Sequence, residues 1–152
     1  IIFIFLSLTK EYIIALLYLM LLRSNGGGLH CKHYISCLLL SFIFIYSSIL
    51  LAIYGIPAKP YTYISILLCA LLGYFLVPIT SNNRPSATAI QIKRSKQNTL
   101  VIILLFLILL CLCSHNTYIY IGYWTIILHT LQLIIAQIMK EVNNNVRLGN
   151  PF

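Results

Sequence analysis

Charge is scarce in this chain. Only 8% of its 152 residues are charged, against 61% hydrophobic, and the mean hydropathy is +0.96. An ordinary soluble domain carries roughly 25% charged residues, so such a domain is excluded. Acids are scarcest of all: Glu11 and Glu141 stand against ten basic residues, giving a net charge of +8. Intramembrane charge pairs of the kind that assemble scaffold subunits into larger complexes are therefore almost absent. The odd number of cysteines, five, argues against a disulfide framework, and the C-x-x-C pairs from which thiolate-rich metal sites are built are missing. No internal repeat occurs. The first residues, "IIFIFLSL", lack the charged start and the small-residue cleavage site of a secretory signal. They lack an initiating methionine too, and Ile1 to Leu8 are expected to be the truncated end of a helix in an N-terminally truncated chain.

What remains is apolar sequence in long runs. A helix that crosses about 30 Å of hydrocarbon needs about 20 mostly apolar residues. Segments at about 1–8, 12–22, 34–54, 61–77, 99–114 and 118–139 fit this need to different degrees. Solid runs such as "LVIILLFLILLCLC" carry none of the alternation of a membrane β-barrel, and a helix satisfies its backbone within the segment. The expected fold is an all-α membrane protein: a polytopic helical bundle of about five complete transmembrane helices plus a truncated first one, in a single domain over 1–152. The separators "TKEY", "RSNGGGLHCKH", "GIPAKP", "PITSNNRPSATAIQIKRSKQN" and "SHNT" have the composition of turns and loops, and 78–98 reads as a basic cytoplasmic loop. Strict alternation places Arg23, Lys32, Arg84, Lys93, Arg94, Lys96, Lys140 and Arg147 on one side, leaving Lys10 and Lys59 on the other. That asymmetry makes the first side cytoplasmic. Tyr54, Tyr61, Tyr63, Tyr118, Tyr120, Tyr123 and Trp124 then gather at the outer interface, where amphipathic rings settle.

Chemistry concentrates in "GGGLHCKHYISC", residues 26 to 37. His30 and Cys37, seven residues apart, would share a face of a continuous helix but lie about 10 Å apart along its axis, too far for a hydrogen bond. A dyad requires the helix to start after His30, with Gly26, Gly27 and Gly28 letting the chain fold back. Cys37 would then sit in the first turn, where the helix dipole and Lys32 favour a thiolate. A neighbouring histidine can serve that thiol as base and a leaving amine as acid. Cys31, adjacent to His30, points away from it in most backbone conformations, and Cys37 is the better nucleophile. Two other readings use the same residues. His30, Cys31, His33 and Cys37 could hold a metal, with His33 and Cys37 as an i, i+4 pair, or handle a cation in a non-enzymatic transporter or channel subunit. A bland helix entrance accounts for them as well.

The remaining polar and sulfur-bearing residues invite structural readings. His129, inside the last segment, is expected to be a neutral imidazole bonded to a neighbouring helix. Cys69, Cys111 and Cys113 are expected to pack within the bundle.

The order of these features resembles the accessory gene regulator B family, membrane cysteine endopeptidases that process quorum-sensing autoinducer precursors in Gram-positive bacteria. The shared pattern is an arginine, a glycine-rich turn, a histidine and, seven residues later, a cysteine: Arg23, Gly28, His30 and Cys37. A second match, Pro78, Asn83, Arg84 and Pro85, leads into Lys93, Arg94 and Lys96. The resemblance implies His30 and Cys37 as the catalytic pair, Arg23 and Gly28 as residues that shape the site, and a precursor resembling AgrD as partner. Arg84, Lys93, Arg94 and Lys96 would hold the precursor's acidic tail or leader at the membrane surface; the positive-inside rule and contact with anionic lipid explain the same charges without a substrate. Cleavage would pass through a thioester on Cys37 and end in cyclisation to a thiolactone. Where many members have an aspartate after the loop proline, Thr80 stands here, so no acidic third catalytic member is expected. Neither a cofactor, a bound metal nor a nucleic-acid partner is expected; membrane lipids are, and a homo-oligomer is compatible with the reading.

Overall fold

The computed structural model describes residues 3, 7–28, 34–55, 57–78, 88–113 and 116–149, with side chains described as far as Val142. It contains five main helices in succession: α1 (Thr9–Gly26), α2 (Tyr34–Tyr54), α3 (Lys59–Leu76), α4 (Ala89–Leu112) and α5 (Thr117–Gly149). Four of them are long and apolar enough to cross a membrane: α2, α3, α4 and the Thr117–Val142 part of α5. The fifth, α1, carries Lys10 and Glu11 in its first turn and Arg23 in its last. The polytopic all-α bundle read from the apolar runs is the fold observed.

Local sequence explains where the helices begin and end. Helix α1 stops at Gly27, whose φ of 76° is a conformation that side chains disfavour, and Gly27 N donates to Arg23 O at 3.2 Å. Helix α3 starts with Pro60 in its first positions, where the missing N–H costs nothing. Helix α4 starts earlier than its apolar run. The sequence assigns 78–98 to a loop, but the helix begins at Ala89, so Lys93, Arg94 and Lys96 stand on its first turns. The cause is a capping box: Thr88 Oγ1 accepts from Gln91 N, and Gln91 Oε1 accepts from Thr88 N. Helix α5 likewise runs ten residues past the expected 139. At 33 residues it measures about 50 Å, well beyond the hydrocarbon thickness.

Helix α5 is the centre of the bundle. It packs against α1, α2 and α3, with α4 docked on α3 and α1. Two-thirds of its membrane window (67%) is buried, against 22–28% for the other three spans. Small and hydroxyl-bearing residues make this approach possible. A Cβ on Gly122 would lie 2.7 Å from both Phe106 on α4 and Tyr18 on α1. Thr125 and Thr130 return their hydroxyls to Ile121 O and Ile126 O of the preceding turn. Around this axis lie Ala15, Leu19, Ile45, Ile49, Ile66, Ile103 and Phe106, while large apolar side chains such as Leu17, Ile43, Leu67 and Leu105 face outward. Cys69 is buried, as expected; Cys111 and Cys113, at the end of α4, are exposed and not buried in the bundle, although Cys111 touches Tyr63.

Cross-helix hydrogen bonds fix which ends meet. Asn98 Nδ2 donates to Asn25 Oδ1 at 3.0 Å, pinning the start of α4 to the end of α1. At the opposite end Trp124 Nε1 donates to Gly55 O at 2.9 Å, and the Ser65 and Tyr123 hydroxyls bond at 2.9 Å. Among the described residues the end of α1 therefore lies with the starts of α2 and α4, and the start of α5 with the end of α2.

Candidate functional site

The site begins with Cys37, the fourth residue of α2. Helix α1 ends at Gly26 and α2 begins at Tyr34, so the two are separate helices and the sulfur belongs to a first turn, as the fold-back through the glycines requires. Cys37 is half-buried and not in a disulfide. The expected partner His30 lies outside the described residues, as do Cys31, Lys32, His33, Thr80, Asn83, Arg84 and Pro85. Three of the four residues of the metal reading are thus among those not described. Among the described residues no group of three or more His, Cys, Asp or Glu side chains converges.

The group brought to Cys37 is the Arg23 guanidinium. Nη2 donates to Cys37 Sγ at 3.8 Å and Nη1 to Ser41 Oγ at 3.1 Å. Ser41, one turn beyond Cys37 on the same face of α2, donates to Cys37 O at 2.9 Å. One planar fork thus spans two successive turns of α2, which a point-like ammonium could not do. Sequence alone leaves open whether Arg23 shapes a site or ends a helix; α1 continues three residues past it to Gly26 and its side chain reaches across to α2. Ser41 was not singled out from sequence, although the i, i+4 spacing from Cys37 carries the signal.

Gly28 lies in the same place. It is buried, with φ of 153°, and a Cβ there would lie 3.6 Å from Arg23 Nε and 3.7 Å from Gln132 Nε2. Behind the turn stands His129 of α5, 1% exposed. The expectation that it bonds to a neighbouring helix does not hold: among the described residues neither Nδ1 nor Nε2, nor Gln132 Oε1, makes a hydrogen bond of good geometry, and the polar groups that act on the ring are the Gln132 carboxamide of its own helix and the Arg23 charge. The backbone of Gly26 comes so near the ring that a Cβ there would sit 3.0 Å from Nε2, and 3.4 Å from Val77 Cγ2. A helix end with no side chain is what lets the ring approach so closely.

The basic residues divide. Lys93 and Arg94 are exposed on the first turns of α4, whereas Lys96 is half-buried with Nζ 5.4 Å from the centre of the Tyr74 ring. Lys96 is thus partly engaged within the bundle, and Lys93 and Arg94 are open to partners at the surface.

Fold and site together define a polytopic α-helical membrane protein with a cysteine, held by an arginine fork, in the first turn of a spanning helix at one end of the bundle. The chain belongs to the accessory gene regulator B (AgrB) family, whose model matches residues 1–134. Neither a curated protein nor a solved structure matches it. Membership assigns the chain to autoinducer-peptide processing in quorum sensing, with an AgrD-like peptide as the general class of partner.

Proposed function

We propose that the protein is a membrane cysteine endopeptidase that cleaves an AgrD-like precursor and cyclises the released signal to a thiolactone, working at the cytoplasmic face of the membrane. The observation that carries this reading is the Arg23 fork on Cys37 and Ser41, beside the glycine turn that leads toward His30.

In the first stage Cys37 Sγ attacks the carbonyl carbon of a precursor peptide bond while His30 takes the thiol proton. The C–N bond breaks, His30 returns the proton to the departing amine, and the signal portion stays on Cys37 as a thioester. In the second stage a cysteine thiol of the precursor gives its proton to His30 and attacks that thioester. Cys37 leaves with the proton, and the ring closes. Acyl transfer between thiols is close to neutral in energy, whereas forming the thioester from an amide is uphill and is lost if water attacks first. Apolar walls of the bundle limit that water. Arg23, fixed on sulfur, offers its charge to the negative charge that passes through the site in both stages. Lys93 and Arg94, exposed at the same end, can hold an acidic precursor tail, with Arg84 in the preceding segment and Lys96 nearby.

The test is co-expression of the chain with its candidate precursor and detection of cleavage and ring closure by mass spectrometry. Cys37→Ala is expected to abolish both, with a loss of about three orders of magnitude or more. His30→Ala should lower cleavage by about 10²- to 10⁴-fold, and Cys31→Ala should leave it intact. Cleavage by Cys37→Ala but not by Cys31→Ala would move the nucleophile. Cleavage by all three would end the peptidase reading.

A further inference from the structure

His129 and Gln132 have no role in the chemistry above, yet they occupy a costly position in the bundle. They lie three residues apart on α5, on one face, at 1% and 7% exposure. Beyond their contact with each other, neither makes a hydrogen bond of good geometry among the described residues through the ring nitrogens of His129 or Oε1 of Gln132. Inside an apolar bundle, Leu at either position would avoid that desolvation cost. Their neighbours are also specific. Helix α1 ends there, and its Gly26 backbone comes so near His129 that an added Cβ would be 3.0 Å from Nε2. Two residues on, Gln132 Nε2 and Arg23 Nε converge on the space beside Gly28. From that point Arg23 extends to Cys37 and Ser41.

We propose that His129 and Gln132 form a polar seat under the Gly26–Gly28 turn and act, through that turn and Arg23, as positioning residues for Cys37. The turn leaves helical geometry at Gly27, with φ of 76°, and Gly28, with φ of 153°, so its path is not set by the repeating hydrogen bonds of α1. An imidazole carries one donor and one acceptor, and a carboxamide adds two donors and an acceptor. Set against the end of a helix, where backbone carbonyls lose their partners in the next turn, these groups line the turn by close approach, the imidazole edge at Gly26 and the carboxamide beside Gly28, and give it a polar wall. They thereby set the side from which the guanidinium reaches sulfur. A purely apolar wall would fill the space and leave the turn's path unspecified. The proposal rests on the reading of Cys37 as nucleophile for its importance to catalysis, but the positional coupling is independent of that reading.

The experiment uses the full chain in detergent with Cys31, Cys69, Cys111 and Cys113 replaced by alanine, so that alkylation by iodoacetamide reports Cys37 alone. His129→Leu, Gln132→Leu and His129→Gln are compared for alkylation rate, for precursor cleavage and for thermal midpoint. His129→Leu and Gln132→Leu are expected to keep or raise the midpoint, because each removes poorly bonded buried polar atoms. Both should slow Cys37 alkylation about fivefold and lower kcat for cleavage to a similar degree with KM unchanged, the size expected of coupling through a packed network. His129→Gln should restore both rates to within about twofold of the parent, since it returns a donor and an acceptor. Parental alkylation in both Leu variants would overturn the proposal, as would His129→Gln behaving like His129→Leu. If Cys37→Ala cleaves precursor as fast as the parent while both Leu variants still slow Cys37 alkylation, the peptidase reading has failed and the coupling has not.

Discussion

At the scale of single residues, Arg23 shows how much chemistry one side chain can organise. Its two terminal nitrogens hold the Sγ of Cys37 and the hydroxyl of Ser41, and Ser41 in turn bonds the Cys37 carbonyl. The three groups form a closed ring of hydrogen bonds between two helices. Lysine keeps the charge but has no fork and cannot span both turns of α2. Arg23→Lys is therefore expected to insert and fold, yet to cleave precursor about tenfold more slowly, a loss of about 1.4 kcal/mol at the transition state. Ser41→Ala removes one hydrogen bond to the fork and should cost about 1 kcal/mol of stability with a smaller loss of rate. Cleavage rates normalised to folded protein separate the two; an Arg23→Lys rate equal to the parent would show that charge alone suffices. Much of this was legible beforehand: the types and spacing of Arg23, the glycines and Cys37 marked the place. Ser41 was not, because a serine inside a helix most often bonds its own backbone, and Ser41 does that as well.

At the scale of elements, the sequence located the spans but not their ends or their neighbours. The basic stretch that opens α4 reads as a loop because charge and polarity are the marks of loops, yet its residues are good helix formers and the Thr88–Gln91 box starts them in register. Nor could the sequence say that α5 is central. In a membrane, the residues facing lipid are as apolar as those facing the core, so Ile126, 1% exposed, and Ile135, 50% exposed, look alike in the chain. The distinguishing marks are small residues, and Gly122 is the sharpest of them. Ala there would place a methyl 2.7 Å from Phe106 and Tyr18, where α1, α4 and α5 cross. Gly122→Ala is expected to destabilise the bundle by about 1–3 kcal/mol through overpacking. Ile135→Ala, on the outward face of the same helix, should cost much less. Thermal unfolding of both variants in the same detergent tests the assignment, and equal midpoints would show that α5 is not packed as described.

At the scale of the whole molecule, the distribution of charge and aromatic rings gives the bundle its direction. Among the described residues, Arg23, Lys93, Arg94 and Lys96 lie at the end where α1 meets the starts of α2 and α4, and Lys140 lies on the distal part of α5. Lys10 and Lys59 belong to the opposite end, where Trp124 bonds to Gly55 and Tyr123 to Ser65. The sequence foresaw this division because alternation needs only the count of spans, and the structure supplies the same alternation through helix contacts. Cys37 shares the basic end, so the orientation of the bundle decides which compartment supplies the substrate. In the proposed function that compartment is the cytoplasm, the side on which the positive-inside rule predicts the basic end. In a chain with all five native cysteines replaced by alanine, Lys59→Cys should react with a membrane-impermeant maleimide on intact cells. Lys93→Cys and Lys140→Cys should react only after the membrane is opened. Labelling of Lys93→Cys on intact cells, with Lys59→Cys protected, would invert the protein and place Cys37 outside, where a precursor made in the cytoplasm could reach it only after crossing the membrane.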